Sequence, residues 1–187
     1  MEFDLTGKML ISTPAMGDPR FSRSLIYLCA HSAEGAFGLV VNRPVPDLRV
    51  AEVLNQLSIP ADGLIEDRPV LLGGPVEPAR GFVLHRNELS DAGPSQPLPE
   101  GLALSASTEV LTAIGRGEGP SAWILALGYA GWGGGQLEEE LAQNAWLTCD
   151  ARETLIFVDA PGEEQWRAAL QSIGVDPRTL SATAGRA

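Results

Sequence analysis

The chain has 187 residues, of which 44% are hydrophobic, which is enough for one compact core and short for two. Its formal charge of −11, from 24 acidic and 13 basic residues, disfavours general nucleic-acid binding, which depends on cations that displace phosphate counterions. We therefore expect a single domain over residues 1–187 without a general role in binding nucleic acid.

Targeting and cysteine patterns point to the cytoplasm. No stretch approaches the roughly 20 apolar residues that cross a bilayer, so no membrane association is expected. The first residues, MEFDLTGKML, are acidic before they are apolar, unlike a signal peptide. Cys29 and Cys149 form no ligand-spaced pair, so we expect two free thiols.

The first clear element is a β-hairpin over residues 25–42, LIYLCAHSAEGAFGLVVN. Its apolar runs meet at Ala33-Glu34-Gly35, where Gly35 allows the positive φ of a tight turn. Neither run alternates between apolar and polar residues, which predicts a strand pair covered on both faces.

Prolines and a helix follow this hairpin. Pro44 and Pro46 are expected to end the second strand, because proline cannot donate to a sheet ladder. Asp47 is then the predicted N-cap of a short helix in LRVAEVLNQL, whose apolar residues recur at helical spacing.

A second hairpin is predicted over residues 69–86, with strands near 70–73 and 81–86. The segment SDAGPSQPLPEG is dense in Gly, Pro and Ser and is typical of a surface loop, and LALSAS reads as a strand. Residues 108–114 form a predicted helix that Gly115 ends.

The C-terminal third is predicted to contain a buried strand over residues 123–129, a glycine turn AGWGGGQ, and a helix LEEELAQN. TLIFVDA is the last predicted strand, and EEQWRAALQSI, after Pro161, the last helix. Hairpins with interspersed helices predict an α+β domain with a mostly antiparallel, curled or barrel-like sheet, rather than a repeating βαβ array.

Three motifs together resemble one family: TPAMGDPRFSRSLIYLCAHSAEGAFGLVVNRP, LLGGPVEPARGFVLH and LGYAGWGGGQLEEELAQNAWL. In order and spacing, the set is similar to the bacterial YqgE/AlgH family over nearly the whole chain. That resemblance implies no agreed catalytic residues, and it brings the family's label of transcriptional regulator.

The leading interpretation is a non-enzymatic regulatory or protein-interaction domain. The chain lacks a helix-turn-helix pair and a basic recognition helix, so any effect on transcription is expected to act through another protein. Familiar enzyme signatures such as G-x-S-x-G and H-E-x-x-H are absent as well, and no cofactor is indicated. The weakest alternative is nucleic-acid binding, through a locally basic face formed by the arginines between Arg20 and Arg49.

The two histidines are the weak candidates for chemistry. Cys29 and His31 lie two residues apart on a predicted strand and therefore on one face, so a thiol–imidazole pair is conceivable. His31 and His85 each end a hairpin strand, and together they are weak metal candidates. The alternative is that both histidines bond to nearby backbone.

A small-molecule cleft is the second hypothesis. The glycine turn before a helix N-terminus offers free N–H groups, although three glutamates in the first turn of that helix disfavour phosphate. Tight turns and close packing explain the same glycines. The candidate ligand-binding residues, at the hairpin ends and the Gly131–Gly135 loop, are Asn42, Gly73, Gly74, Pro75, His85, Tyr129, Trp132, Gly135 and Gln136.

Overall fold

A computed structural model describes residues 3–62, 65–88 and 93–180 of the chain. Within them, the strands are β1 (Lys8–Ser12), β2 (Leu25–Ser32), β3 (Gly35–Val40), β4 (Pro44–Arg49), β5 (Pro69–Leu72), β6 (Val76–Arg86), β7 (Gln96–Leu98), β8 (Leu102–Ser105), β9 (Trp123–Gly133) and β10 (Trp146–Asp150). The α-helices there are α1 (Val50–Gln56), α2 (Thr108–Gly115), α3 (Gln136–Ala142), α4 (Glu153–Ile156) and α5 (Glu163–Ser172).

The strands form one sheet in the order β10-β1-β2-β3-β9-β6-β8-β7, with every neighbouring pair on that path antiparallel. β5 adds the one parallel pairing in the described residues, to β9, and β4 pairs with β5. The predicted α+β class with a mostly antiparallel sheet is confirmed.

The sheet is strongly curled. Gln96 of β7 donates from Nε2 to the carbonyl of Cys29 in β2 at 3.3 Å. These strands lie five places apart in the order, which in a flat sheet would separate them by roughly 24 Å. The curl therefore brings the end strand β7 against β2, as the predicted barrel-like shape requires.

Both faces of the sheet are covered. All eight strands of the main path, together with α4 and α5, contribute to one interior cluster that includes Met9, Tyr27 and Trp166. Outside the curl, α3 covers a second cluster around Trp132 and Trp146, and α1 and α2 cover a third. The continuous apolar runs of β2 and β9 follow from this double burial.

The first predicted hairpin is confirmed, whereas the second is wrong. β2 and β3 pair directly across Ala33 and Glu34. β5 and β6 instead pair with opposite edges of β9, β5 in parallel and β6 antiparallel. Two apolar runs around a Pro-containing loop resemble a hairpin in sequence, but a third, later strand inserts between them.

The predictions for the prolines and for Asp47 are also wrong. The second strand ends at Val40, and both prolines lie in the irregular strand β4. Asp47 lies within β4 with φ 57°, and Arg49 takes the N-cap position of α1 instead. The first turn of α1 is capped from a distance, because Asp67 accepts a hydrogen bond from the amide of Ala51 at 3.1 Å.

Three further boundaries differ from prediction. Residues 96–98 of the predicted surface loop form β7, while residues 89–92 of that loop lie outside the described residues. Gly115 is the last residue of α2, and the positive-φ glycine that follows is Gly117. TLIFVDA begins in helix α4, since tertiary packing of Leu155 and Ile156 overrides their strand propensity. The last strand of the described residues is β10, which was not predicted from the sequence.

Candidate functional site

Glu140 connects the parts of the motif LGYAGWGGGQLEEELAQNAWL, which spans the end of β9 and helix α3. Its Oε2 accepts hydrogen bonds from the indole N–H groups of Trp132, at 3.0 Å, and Trp146, at 2.7 Å. Its Oε1 accepts from Gln136 Nε2 at 3.0 Å, and Gln136 in turn accepts from the amide of Gly133 at 3.1 Å. These bonds tie α3 to β9 and β10.

His31 belongs to the same region. Its Nδ1 accepts from the amide of Leu5 at 3.0 Å, so Nε2 carries the proton and donates to Glu138 Oε1 at 2.7 Å. A hydrogen bond from its own backbone N–H, and then the bond from His31, hold the pKa of Glu138 below its ordinary value. We call His31, Trp132, Gln136, Glu138, Glu140 and Trp146 the α3 cluster.

Cys29 and His31 do not share a face. A bulge between Leu28 and Ala30 leaves Cys29 without a partner in β3, which shifts the two-residue alternation of the strand by one. Cys29 consequently points into the interior cluster, whereas His31 meets Leu5 and Glu138 outside. Burial raises the pKa of the Cys29 thiol, which disfavours a thiolate. The predicted thiol–imidazole pair is not formed.

The two histidines are also kept apart. His85 is buried in β6, where Nδ1 donates to the carbonyl of Arg86 and Nε2 accepts from Ser105 Oγ, both at 2.8 Å. His31 lies on β2, three places away in the strand order. In the described part of the chain, no group of three His, Cys, Asp or Glu side chains is placed to hold a metal ion.

Three residues of the predicted small-molecule cleft are used in packing and backbone hydrogen bonds. Asn42 accepts from the amide of Leu25 at 2.9 Å and donates to the carbonyls of Arg23 and Gly162. A Cβ atom at Gly73 would lie 2.4 Å from the carbonyl oxygen of Gly128, and one at Gly74 would lie 2.1 Å from the carbonyl carbon of Tyr129. These glycines thus let the chain pass against β9.

The remaining predicted residues fall on two sides of the sheet. Pro75, Trp132 and Gln136 line a cavity of about 210 Å³ beside Asp18 and Arg20, smaller than the ~300 Å³ at which ligand pockets usually begin. Gly135 has φ 78° and precedes α3. Tyr129 faces the interior side instead. Ligand binding by these residues stays a prediction, but they do not form one cleft.

The predicted basic face is internally neutralised. Arg20 pairs with Asp18 at 2.7 Å, Arg23 with Glu163, and Arg49 with Asp67. Arg43 donates to the backbone carbonyls of Arg20 and Ser22. These arginines therefore bind other parts of the chain.

The structure reveals a different cleft at the open mouth of the curled sheet. It has a volume of about 660 Å³, and six consecutive strands of the order line it. The lining side chains are Ala30 of β2, Phe37 of β3, Tyr129 of β9, Arg80 and Phe82 of β6, Leu104 of β8 and Gln96 of β7, with Pro94, Ser95, Ala106 and Ser107 from adjoining loops. We call this the mouth cleft.

Three aromatic rings form its floor. The ring centroids of Phe37 and Tyr129 lie 4.8 Å apart, those of Phe37 and Phe82 5.4 Å, and those of Phe82 and Tyr129 6.0 Å. These rings pack against or belong to the interior cluster. Each therefore has one side supported by the core, and the cleft is a rigid extension of it.

Among the described residues that line the cleft, one side chain is charged. The guanidinium of Arg80 stacks over Phe82, 5.0 Å from the ring centroid. Its ion pair with Glu77 is long, at 3.4 Å, and both side chains are more than half exposed, so that pair is worth little.

Of the cleft residues, the sequence reading identified Tyr129 alone. Phe37, Phe82 and Arg80 stand inside the family-like motifs, but no catalytic or binding signature marks them. The sequence carried only part of the information. Phe37 and Phe82, in separate apolar strands, predict a shared core, but they do not predict that this core is left open at one end.

Comparisons with known proteins agree with this fold. Residues 9–178 match a family model described as AlgH-like. The chain is 50% identical over 186 residues to a UPF0301 protein of Paracoccus denitrificans, covering 98% of this chain and 97% of that protein. It is 48% identical to a UPF0301 protein of Caulobacter vibrioides, with 98% and 94% covered.

Solved structures show the same architecture. The solution structure of the AlgH protein from Pseudomonas aeruginosa superposes with a TM-score of 0.77 at 46% identity, over 98% of this chain and 96% of that one. A crystal structure of a Corynebacterium diphtheriae protein, at 23% identity and a TM-score of 0.68, covers 89% of this chain and 85% of that one and shares the fold.

Each helix in the described residues is too short or too polar to cross a bilayer.

Proposed function

The chain belongs to the AlgH-like family, and on that premise we propose that it is a non-enzymatic regulatory domain that works by binding a protein partner in the mouth cleft. The observation that supports this most is the contrast between the α3 cluster and the mouth cleft. The polar side chains of the α3 cluster bond to one another, whereas the floor of the mouth cleft leaves the rings of Phe37 and Tyr129 partly exposed to a partner.

The cleft has the composition of a protein-binding site. Interfaces are enriched in aromatic residues and Arg and depleted in other charged groups at their centre, which describes Phe37, Phe82, Tyr129 and Arg80. Effects on transcription would pass through the bound protein, because the net charge of −11 opposes direct contact with nucleic acid. The AlgH protein of Pseudomonas aeruginosa shares this architecture.

The test is affinity capture from native bacterial lysate under crosslinking, with a variant that fills the cleft. Ala106 is exposed and lines the cleft, so Ala106→Trp should block it without disturbing the core. Ala142→Trp, at an exposed position of α3, is the matched control. We expect one stoichiometric partner with the wild type and the control and its loss with Ala106→Trp. No stoichiometric partner, or equal capture by all three, would contradict the proposal.

A further inference from the structure

The charge of the mouth cleft is opposite to that of the chain. The whole sequence carries 24 acidic against 13 basic residues, but among the described residues that line the cleft Arg80 alone is charged. A cationic site on an acidic protein selects for a partner that brings a negative group to that point.

Arg80 is held ready for an anion. Stacking on Phe82 fixes the plane of the guanidinium, and its planar set of donors suits a carboxylate, which can accept two parallel hydrogen bonds. The long contact with Glu77 is exposed, so an incoming carboxylate can replace it at little cost.

The shape of the site favours a side chain of a peptide over a free small molecule. The cleft opens broadly to solvent, whereas small-molecule sites enclose most of their ligand. Strand addition is disfavoured, because the adjoining edge strand β7 has three residues and includes Pro97, which has no N–H to donate. Recognition therefore depends on side chains.

From these observations we infer that the mouth cleft binds a peptide segment of the partner in which an aromatic residue stands next to an acidic one. The aromatic ring packs on Phe37 and Tyr129, and the carboxylate pairs with Arg80. This inference rests on the proposed function and specifies the chemistry of the partner.

The experiment titrates the full-length, ¹⁵N-labelled chain with the capped peptide Ac-Gly-Phe-Asp-Gly-amide and follows amide shifts. Control peptides replace Asp with Asn or Phe with Ala, and 3-phenylpropionate tests a free carboxylate. We expect shifts at cleft residues and a Kd about fivefold to tenfold weaker for the Asn peptide. Arg80→Gln should weaken the Asp peptide equally and fold like the wild type, while the control Arg178→Gln, which loses another exposed arginine, should leave binding unchanged.

Each other outcome is decisive. Equal affinity for the Asp and Asn peptides, or no effect of Arg80→Gln, would overturn the acidic requirement, and cleft shifts would still agree with a protein-binding site. Equal or tighter binding of 3-phenylpropionate would replace the peptide by a small carboxylate. An absence of cleft shifts with every peptide at millimolar concentration would overturn the inference, whereas the proposed function is judged separately by the loss of captured partner in Ala106→Trp.

Discussion

The α3 cluster and the mouth cleft both combine aromatic rings with charged side chains, on opposite faces of the same curled sheet. In the α3 cluster, Glu140 satisfies two indole N–H groups and Glu138 pairs with His31. In the cleft, three rings meet without a polar bond between them, and Arg80 has one long ion pair.

The comparison shows that the residues most noticeable in the sequence are not the residues whose side chains are free to bind a partner. The α3 cluster carries polar residue types that attract notice in the sequence, and their hydrogen bonds are made within the fold. The floor of the cleft carries aromatic strand residues and one arginine, whose interactions are incomplete. Substitutions in the first region should therefore change stability, and substitutions in the second should change binding.

The strongest test of this division is Gly74→Ala, because Gly74 packs on β9 where the strand passes from the cleft to the α3 cluster. The new Cβ would lie 2.1 Å from the carbonyl carbon of Tyr129 and 2.4 Å from the amide of Ala130, at φ 155°. We expect a loss of at least about 3 kcal/mol in the free energy of unfolding, measured in urea. Gly133→Ala, with open space around its Cβ, should change it by less than about 0.5 kcal/mol. If the two variants lose equal free energy of unfolding, β9 shifts enough to accommodate the added methyl group, and the close packing at Gly74 is not essential.

The next largest effect is expected from Glu140→Ala. The variant leaves the indole N–H groups of Trp132 and Trp146 without their acceptor, and both rings are buried. We expect a destabilisation of about 2 kcal/mol and altered tryptophan fluorescence. The neighbouring Glu139 is exposed, so Glu139→Ala serves as the control and should stay within about 0.5 kcal/mol. If both variants behave alike, the α3 cluster contributes no more than an ordinary surface.

The smallest effect concerns pH. The pKa of Glu138 lies below its ordinary value of 4.5 in the folded protein. Its contribution to stability is therefore present above that value and is lost as the pH falls toward the folded pKa, because the unfolded state takes up the proton first. Urea midpoints for wild type and Glu138→Gln should differ near pH 7 and converge toward pH 3. A difference that persists at low pH would assign it to packing rather than to charge.

Local patterns predicted the elements whose partners are close in the chain. The hairpin of β2 and β3, helix α2 and helix α5 all follow from residues within one turn or one strand of each other. The pairing of β5 and β6 with β9 was not predictable in this way. Fifty residues lie between β5 and β9 and 36 between β6 and β9, and nothing in the composition of β5 and β6 favours pairing with β9 over pairing with each other.

The site was harder to predict for a related reason. Hydrogen-bonding residue types stand out in a sequence, but whether their bonds are satisfied depends on tertiary neighbours. His31 and His85 drew attention as possible ligands, and each is bonded within the fold. Phe37 and Phe82 drew none, because strand residues that line a cleft look in sequence like those of any buried strand.

The bulge at Cys29 makes β2 intolerant of a change in length. The extra residue turns His31 outward, and it leaves the Cys29 carbonyl without a partner residue in β3, where Gln96 reaches it from β7. Deleting one residue there would exchange the two sides of the strand from Ala30 onward. The imidazole of His31 would then point inward, and the hydrogen bond from Gln96 that joins β7 to β2 would be lost. Homologues with insertions or deletions should accordingly carry them elsewhere.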